Sequence, residues 1–153
     1  MSALSHVKKV WTNFLNNSGG FDAHALSGLK VVSASKGACL AELVVAPQHL
    51  NRLGGCHGGL LSTIVDVGGS LAIAAENMHA TGVSTDLNVS FVSGAKLGDK
   101  LSINSRCDRV GGTLAYTTVE VSVGDQIVAL GRHTKFVRLA HKANKEMKMD
   151  GQA

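Results

Sequence analysis

The stretch from His57 to about Met78 constrains the fold most, because it alone is long and apolar enough to form a buried helix. Its aliphatic side chains recur at helical spacing in two adjoining stripes: Leu60, Ile64, Val67 and Leu71, then Leu61, Val65, Ala72 and Ala75. A helix that is apolar nearly all round is usually buried on every side. The other elements of the chain must therefore be arranged around this one.

Short runs typical of β-strands lie on both sides of this helix. Two precede it, at residues 29–33 and 38–46, and four follow it, at residues 82–92, 100–110, 113–123 and 127–139. Glycine-containing turns separate the last four, which is typical of an antiparallel meander. The sequence therefore predicts an α+β fold in which an antiparallel sheet wraps around one long central helix.

The two ends of the chain differ from this central domain, residues 21–139. Residues 1–20 place apolar side chains on one face of an amphipathic helix, at Val7, Val10, Trp11, Phe14 and Leu15. We expect this helix to dock on the domain, although the absence of acidic residues before Asp22 also suits a mitochondrial presequence. Residues 140–153 form a basic tail, which we expect to be frayed or helical and solvated.

Composition and charge exclude several classes of function. The formal net charge of +4 belongs to the tail, since residues 132–148 hold six Lys or Arg and one acid. The body has no basic face for nucleic acid, and no apolar run reaches the ~20 residues of a transmembrane helix. Three cysteines without a CxxC pair indicate reduced thiols and predict neither disulfide nor metal site. We expect a cytoplasmic or mitochondrial protein.

Asp66 is the only charged residue of the central helix before Glu76. Burying a carboxylate costs several kcal/mol unless it is paired or has a function. One interpretation is structural: Asp66 caps a backbone group or pairs with Arg52 or Arg106. The other is functional: Asp66 acts as a general base or as a nucleophile.

The triplet His57-Gly58-Gly59 lies where a polar loop becomes the central helix. The N–H groups of a first helical turn are free to bind a carbonyl oxygen or an oxyanion, and glycine lets a substrate approach the backbone closely. The alternative is an ordinary loop–helix junction in which His57 is the cap.

These two candidate groups cannot act on one carbonyl within a single chain. His57 and Asp66 are nine residues apart, which corresponds to roughly 13 Å along a helix. Either one of them has no role in catalysis, or the site is shared, with the Gly58 end from one subunit and Asp66 from its neighbour. A shared site implies a symmetric homodimer with two equivalent sites.

Six sequence blocks in a fixed order carry a family resemblance: Asn51-Arg52-Leu53-Gly54, His57-Gly58-Gly59-Leu60, Asp66, Gly82-Val83-Ser84-Thr85-Asp86-Leu87-Asn88, Ala95-Lys96-Leu97-Gly98 and Gly131-Arg132-His133-Thr134-Lys135. With these blocks the chain resembles the hotdog-fold acyl-CoA thioesterases, and among them the thioesterase superfamily member 2 type. The resemblance covers residues from about 25 to 138. It implies the same helix wrapped by a sheet, assembled as a dimer and often as a dimer of dimers, a homotetramer.

The resemblance also implies roles for individual residues. The Gly58 N–H polarises the thioester carbonyl, and His57 and Asn51 help to place the thioester. Asp66 of the partner subunit activates water or attacks directly, and Ser84 orients that water. The implied contacts with CoA are Lys96, Arg109, Val110, Gly111, Gly112, Thr113, Arg132 and Lys135, at the rim of the site.

We therefore expect an enzyme of lipid metabolism that hydrolyses medium- or long-chain acyl-CoA to fatty acid and CoA, without a metal or other cofactor. Two alternatives remain open. One is a hydroxyacyl-thioester dehydratase, although the close Asp and His pair usual in those enzymes is not found here. The other is a scaffold dimer that binds acyl-CoA without turnover and whose basic tail contacts an anionic membrane.

Overall fold

The computed structural model describes residues 1–149 as four α-helices and six β-strands. The helices are α1 Ala3–Ser18, α2 Phe21–Ala25, α3 Gly58–Ala74 and α4 Arg138–Met149. The strands are β1 Lys30–Ser35, β2 Ala38–Val44, β3 Val83–Phe91, β4 Lys100–Val110, β5 Leu114–Val123 and β6 Gln126–Phe136. None of the helices in these residues is long and apolar enough to cross a membrane.

All six strands form one antiparallel sheet in the order β1-β2-β4-β5-β6-β3. The prediction of a four-strand meander is therefore wrong for one strand. Only β4, β5 and β6 pair in sequence order, while β3 lies at the far edge and pairs with β6. The connection between β3 and β4, residues 92–99, is long enough to carry the chain from one side of the sheet to the other.

The central helix α3 packs on the concave side of this sheet, as predicted. Twelve of its seventeen residues are buried, among them Ile64, Val65 and Leu71. Close packing depends on glycine, because a Cβ at Gly68 would lie 2.6 Å from the Ser105 Oγ and one at Gly69 would lie 3.0 Å from the His133 Nδ1. The α+β prediction of a sheet wrapped around one helix is confirmed.

Some element boundaries differ from the prediction. Helix α3 ends at Ala74, before the expected Met78, and Asn77 just beyond it has a left-handed φ of 63°. The last strand ends at Phe136, before the expected residue 139, because the chain turns there into α4.

Helices α1 and α4 pack on this core from outside. Helix α1 buries Val7, Val10 and Trp11, and the Trp11 Nε1 donates a hydrogen bond of 3.2 Å to the Leu29 carbonyl. Helix α4 buries Ala140 and Asn144. The tail, which was expected to be frayed or helical and solvated, is a helix as far as Met149 and packs on the domain through these two residues, while residues 150–153 lie outside the described part of the chain.

Candidate active site

Asp66 lies in the middle of α3 and faces a pocket of about 760 Å³. Its side chain is 45% exposed, so the carboxylate is open to water although the helix around it is buried. Ser84 on β3 and Lys135 on β6 line the same pocket. The walls come from α1, α2, α3, β3 and α4, and they include the apolar side chains Phe14, Val67, Leu139, Ala140 and Ala143.

The two arginines predicted as structural partners of Asp66 lie elsewhere. Arg106 forms an ion pair of 2.6 Å with Asp108, and Arg52 lies exposed in the loop before α3. The titratable side chain beside the Asp66 carboxylate is instead His133, with 3.6 Å between its Nε2 and the Asp66 Oδ1.

His133 connects Asp66 to Ser84. Its ring is completely buried, with Nδ1 3.1 Å from the Asp66 backbone carbonyl and Nε2 2.7 Å from the Ser84 Oγ. A carbonyl can only accept, so Nδ1 carries a proton, and in the neutral ring Nε2 accepts the Ser84 hydroxyl proton. The lone pairs of the Ser84 oxygen then remain available to a water molecule beside Asp66.

Burial is the main reason why the pKa of His133 lies below its ordinary value, and the positive charge of Lys135 lowers it further. The carboxylates of Asp66 and Asp86 and the hydrogen bond to the Asp66 backbone act in the opposite direction. The lowered pKa favours the neutral ring at neutral pH, which is the state in which Ser84 donates to Nε2.

Lys135 was expected at the rim among the CoA contacts, but it lies inside the Asp66 pocket. It is 5% exposed, and its Nζ donates a hydrogen bond of 2.6 Å to the Ser70 Oγ. Burial lowers its pKa, against the attraction of the Asp66 and Asp22 carboxylates. Burial raises the pKa of Asp22, and the negative charge of Asp66 adds to the effect. The pocket therefore holds two carboxylates and one ammonium group.

At the other end of the site, His57 caps the start of α3. Its Nδ1 accepts a hydrogen bond of 2.8 Å from the Gly59 N–H, and its carbonyl accepts from the N–H groups of Leu60 and Leu61. Because Nδ1 accepts, the neutral ring carries its proton on Nε2, where it can be donated. The Gly58 N–H has no acceptor among the described residues, so it is the free donor of this first turn.

Asn51 organises the loop that leads to Gly58. Its Oδ1 accepts from the N–H groups of Leu53 and Gly55, at 2.9 and 3.1 Å. Its Nδ2 has no acceptor in the described part of the chain, so the amide can donate to a ligand. Phe91, at the end of β3, lies 3.3 Å from the position that a Gly58 Cβ would take, so the loop and β3 meet beside the helix start.

The structure does not bring the two ends of the candidate site together within one chain. Helix α3 is continuous from Gly58 to Ala74, and the pocket at Asp66 is lined by none of Asn51, His57 or Gly58. Asp66 and Ser84 line the same pocket. Gly58 and Asp66 are eight positions apart in the sequence, which corresponds to about 12 Å of helix.

The expected CoA contacts also fall in separate places. Lys96 is exposed and pairs through its backbone with Gly55, near the start of α3. Arg109 and Val110 are the last two residues of β4, and residues 111–113 form the turn to β5. Arg132 is exposed, whereas its neighbours His133 and Gly131 are buried. No group of three or more side chains suited to a metal occurs in residues 1–149.

Sequence analysis did not assign His133, Asp22 or Ser70 to the site. A signal for His133 was present in the sequence. Buried and exposed positions alternate along β6, and His133 and Lys135 lie at buried positions, where aliphatic side chains are usual. Asp22 and Ser70 had no such signal, because their position depends on how α2 and α3 meet in space.

Comparisons with known proteins agree on one family. Residues 53–130 match the family described as Thioesterase superfamily. A protein of Schizosaccharomyces pombe that is named as an esterase is 42% identical to this chain, and the match covers 90% of this chain and 86% of that protein. Human acyl-coenzyme A thioesterase 13 is 38% identical over 72% of this chain and 80% of its own. The crystal structure of zebrafish thioesterase superfamily member 2 has a TM-score of 0.80 and 36% identity, and the match covers 89% of this chain and 98% of that one.

Proposed function

This chain belongs to the thioesterase superfamily and is a thioester hydrolase, and we propose that it hydrolyses acyl-CoA at a site shared by two copies. One observation carries the proposal. The free Gly58 N–H and the water-exposed Asp66 carboxylate lie on one helix, about 12 Å apart. A second copy, related by a two-fold axis, can place its Asp66 opposite the first copy's Gly58.

The Gly58 end would bind the thioester carbonyl. Its free N–H points out of the first turn of α3, where the helix dipole also favours the negative charge that develops on oxygen. The Asn51 Nδ2 and the His57 Nε2 are two further donors on the adjacent loop. We propose that these donors hold the carbonyl and stabilise the oxyanion of the tetrahedral intermediate.

The Asp66 end would supply the nucleophile. A water molecule donates one hydrogen bond to the Asp66 carboxylate and one to the Ser84 oxygen. The Ser84 hydroxyl in turn donates its own hydrogen bond to the His133 Nε2. As the water oxygen bonds to the carbonyl carbon, its proton passes to Asp66. The C–S bond then breaks, and the protonated Asp66 carboxyl gives its proton to the departing CoA thiolate and returns to the carboxylate. Direct attack by Asp66 would instead form an anhydride that water hydrolyses to the same products.

The exposed strand β3 is the surface that we propose for dimer formation. It is a nine-residue edge strand, paired on one side with β6, and Val83, Leu87 and Phe91 expose apolar side chains on it. A long unpaired edge with exposed apolar residues is normally covered. A second copy would cover it and bring Ser84 and Phe91 to the interface; a dimer of dimers is the larger assembly that we propose.

We propose a medium- or long-chain acyl group as the substrate. Phe14, Val67 and Leu139 give the Asp66 pocket an apolar wall, and its volume of about 760 Å³ leaves room for an aliphatic chain.

The free cysteines Cys39, Cys56 and Cys107 suit a reducing compartment, and we propose the cytosol or the mitochondrion.

The test is release of free thiol from acyl-CoAs of short, medium and long chain, followed with a thiol reagent. We expect turnover with the highest kcat/KM for the longer chains. Incubation with an enoyl-CoA, followed by loss of the conjugated double bond, tests the dehydratase alternative. Hydration without thiol release would replace the proposal, and binding without either reaction would favour the scaffold.

The pKa of His133 predicts a loss of activity at acid pH. Once protonated, Nε2 no longer accepts from Ser84, and its positive charge faces Asp66 at 3.6 Å. Because burial lowers the pKa of His133, we expect kcat to fall only below the pH at which a free imidazole titrates. The folded state also loses stability there, since the unfolded ring binds the proton more readily. The profile is therefore measured where circular dichroism shows intact protein.

The comparison is the pH profile of kcat for His133→Gln, with His79→Gln as control. His79 lines the same pocket, but its ring contacts the His6 ring edge to face. We expect the acid limb to change only in His133→Gln. The same limb in all three proteins would mean that His133 does not control the state of Ser84 and Asp66.

A further inference from the structure

Helix α4 is fixed against the turn that joins β4 to β5. The His141 Nε2 lies 2.9 Å from the Gly111 carbonyl, and the Arg138 Nη2 donates a hydrogen bond of 3.2 Å to the Thr113 Oγ1. The backbone N–H of Val137, just before the helix, donates to the Thr113 carbonyl at 2.8 Å. The first turn of α4 and this turn of the sheet therefore form one local structure.

Asn144 anchors the middle of the same helix. Its side chain is buried, and its Oδ1 accepts from the N–H groups of His79 and Ala80, at 2.7 and 3.1 Å. Its Nδ2 donates to the carbonyls of Ala80 and Ala140. Because both the oxygen and the nitrogen of this buried amide are hydrogen-bonded, α4 has a defined position on the domain.

A cleft of about 580 Å³ lies between α4 and the turn. Residues 110–112 line one side, and Arg138, His141, Lys142 and Lys145 line the other. Arg138, Lys142 and Lys145 are four and three residues apart, so they lie on one face of the helix. No carboxylate lines the cleft, and the one acid of α4, Glu146, is outside the lining.

Three cations on one face of a helix repel one another unless an anion lies between them. Arginine and lysine side chains beside a glycine turn suit phosphate, which needs charged donors and a close approach to the backbone. The opposite side of α4 contributes Leu139, Ala140 and Ala143 to the Asp66 pocket. One helix thus lines both the proposed acyl pocket and a basic cleft.

We infer that Arg138, Lys142 and Lys145 of α4, with the turn at residues 110–112, bind the phosphate groups of the CoA portion of the substrate. The inference rests on the proposed acyl-CoA hydrolase activity and adds a specific contribution from α4. An anionic membrane is the less suitable ligand, because a helix that binds lipid inserts its less polar face. In α4 that face, with Ala140 and Asn144, is buried against the protein.

The first test compares two thioester substrates. In the double variant Lys142→Gln and Lys145→Gln we expect KM for acyl-CoA to rise about tenfold, because charged hydrogen bonds to phosphate are lost, with kcat unchanged. The matching acyl-N-acetylcysteamine thioester has no phosphates, and its KM and kcat should stay the same. The charge-matched control is Lys8→Gln with Lys30→Gln, both exposed and outside the cleft. An equal rise in KM for both substrates, or no rise for either, would overturn the inference.

The second test is independent of turnover. Calorimetry measures binding of adenosine 3′,5′-bisphosphate to the wild-type chain and to both double variants, and co-sedimentation measures binding to vesicles that contain phosphatidylserine. We expect nucleotide binding that is lost in the α4 variant and kept in the control. Nucleotide binding unaffected by the α4 substitutions, or an effect on vesicles alone, would contradict the inference. Hydrolysis of neither thioester by the wild-type chain would instead contradict the proposed function.

Discussion

Asp66→Asn is expected to abolish thiol release from acyl-CoA while the protein keeps its fold and its wild-type state of assembly. Asparagine has nearly the same shape as aspartate but neither takes a proton from water nor attacks a thioester. General base catalysis contributes about 10²- to 10⁴-fold to rates, so we expect kcat to fall by about 10³-fold or more. The Asp66 side chain is 45% exposed, and in the variant the buried Lys135 ammonium keeps its hydrogen bond to the Ser70 Oγ and the attraction of the Asp22 carboxylate, so we expect the fold to persist.

The measurement is steady-state thiol release, with circular dichroism and size-exclusion chromatography to verify the fold and the assembly. Asp125→Asn, in the exposed turn between β5 and β6, makes the same chemical change away from the pocket and should keep wild-type kcat. Turnover of Asp66→Asn within a few-fold of wild type would remove Asp66 from the mechanism.

Gly58→Pro is expected to lower kcat by about 10²- to 10³-fold, the usual cost of losing one oxyanion donor. Proline has no backbone N–H, and the first position of a helix is where it is best tolerated. The residue before proline must be extended, and His57 already is, with φ −69° and ψ 133°. The substitution therefore removes the free N–H of the first turn with little change in the backbone.

Gly58→Ala is the matched control, because it adds the Cβ but keeps the N–H. That Cβ would lie 3.3 Å from the Phe91 ring, which needs to shift by only a few tenths of an ångström to make room for it. We expect Gly58→Ala to keep most of its activity. Equal losses in both variants would mean that the space beside Gly58 matters and that the N–H does not.

The α+β architecture could be predicted because the apolar pattern of α3 leaves one way to bury it. The order of the strands could not be predicted. Whether β3 pairs with β4 or with β6 depends on contacts such as Asn88 with Arg132, which are distant in sequence. The connection at residues 92–99 permits both arrangements, so its length gave no signal.

The same distinction applies to the site. Asp66 could be identified because a lone charge on an apolar helix is unusual, and Gly58 because the start of a helix has free donors. His133 gave only a weak signal, as a polar side chain on the buried face of β6, because its position beside Asp66 depends on the pairing of β6 and on the glycine at position 69, which lets the ring reach α3. The basic residues of α4 have the pattern of a solvated tail, because the sequence does not show that the Asn144 side chain anchors the helix to the backbone at residues 79 and 80.

The shared site is the central claim, and co-expression of Asp66→Asn with Gly58→Pro tests it most directly. Each variant alone lacks one half of every site. In a random mixture, each half of a shared site is intact with a probability of one half, so about a quarter of the sites are complete. We predict that two nearly inactive variants, co-expressed and purified together, recover about a quarter of wild-type thiol release. Recovery of no activity from an assembly shown to contain both chains would contradict the account.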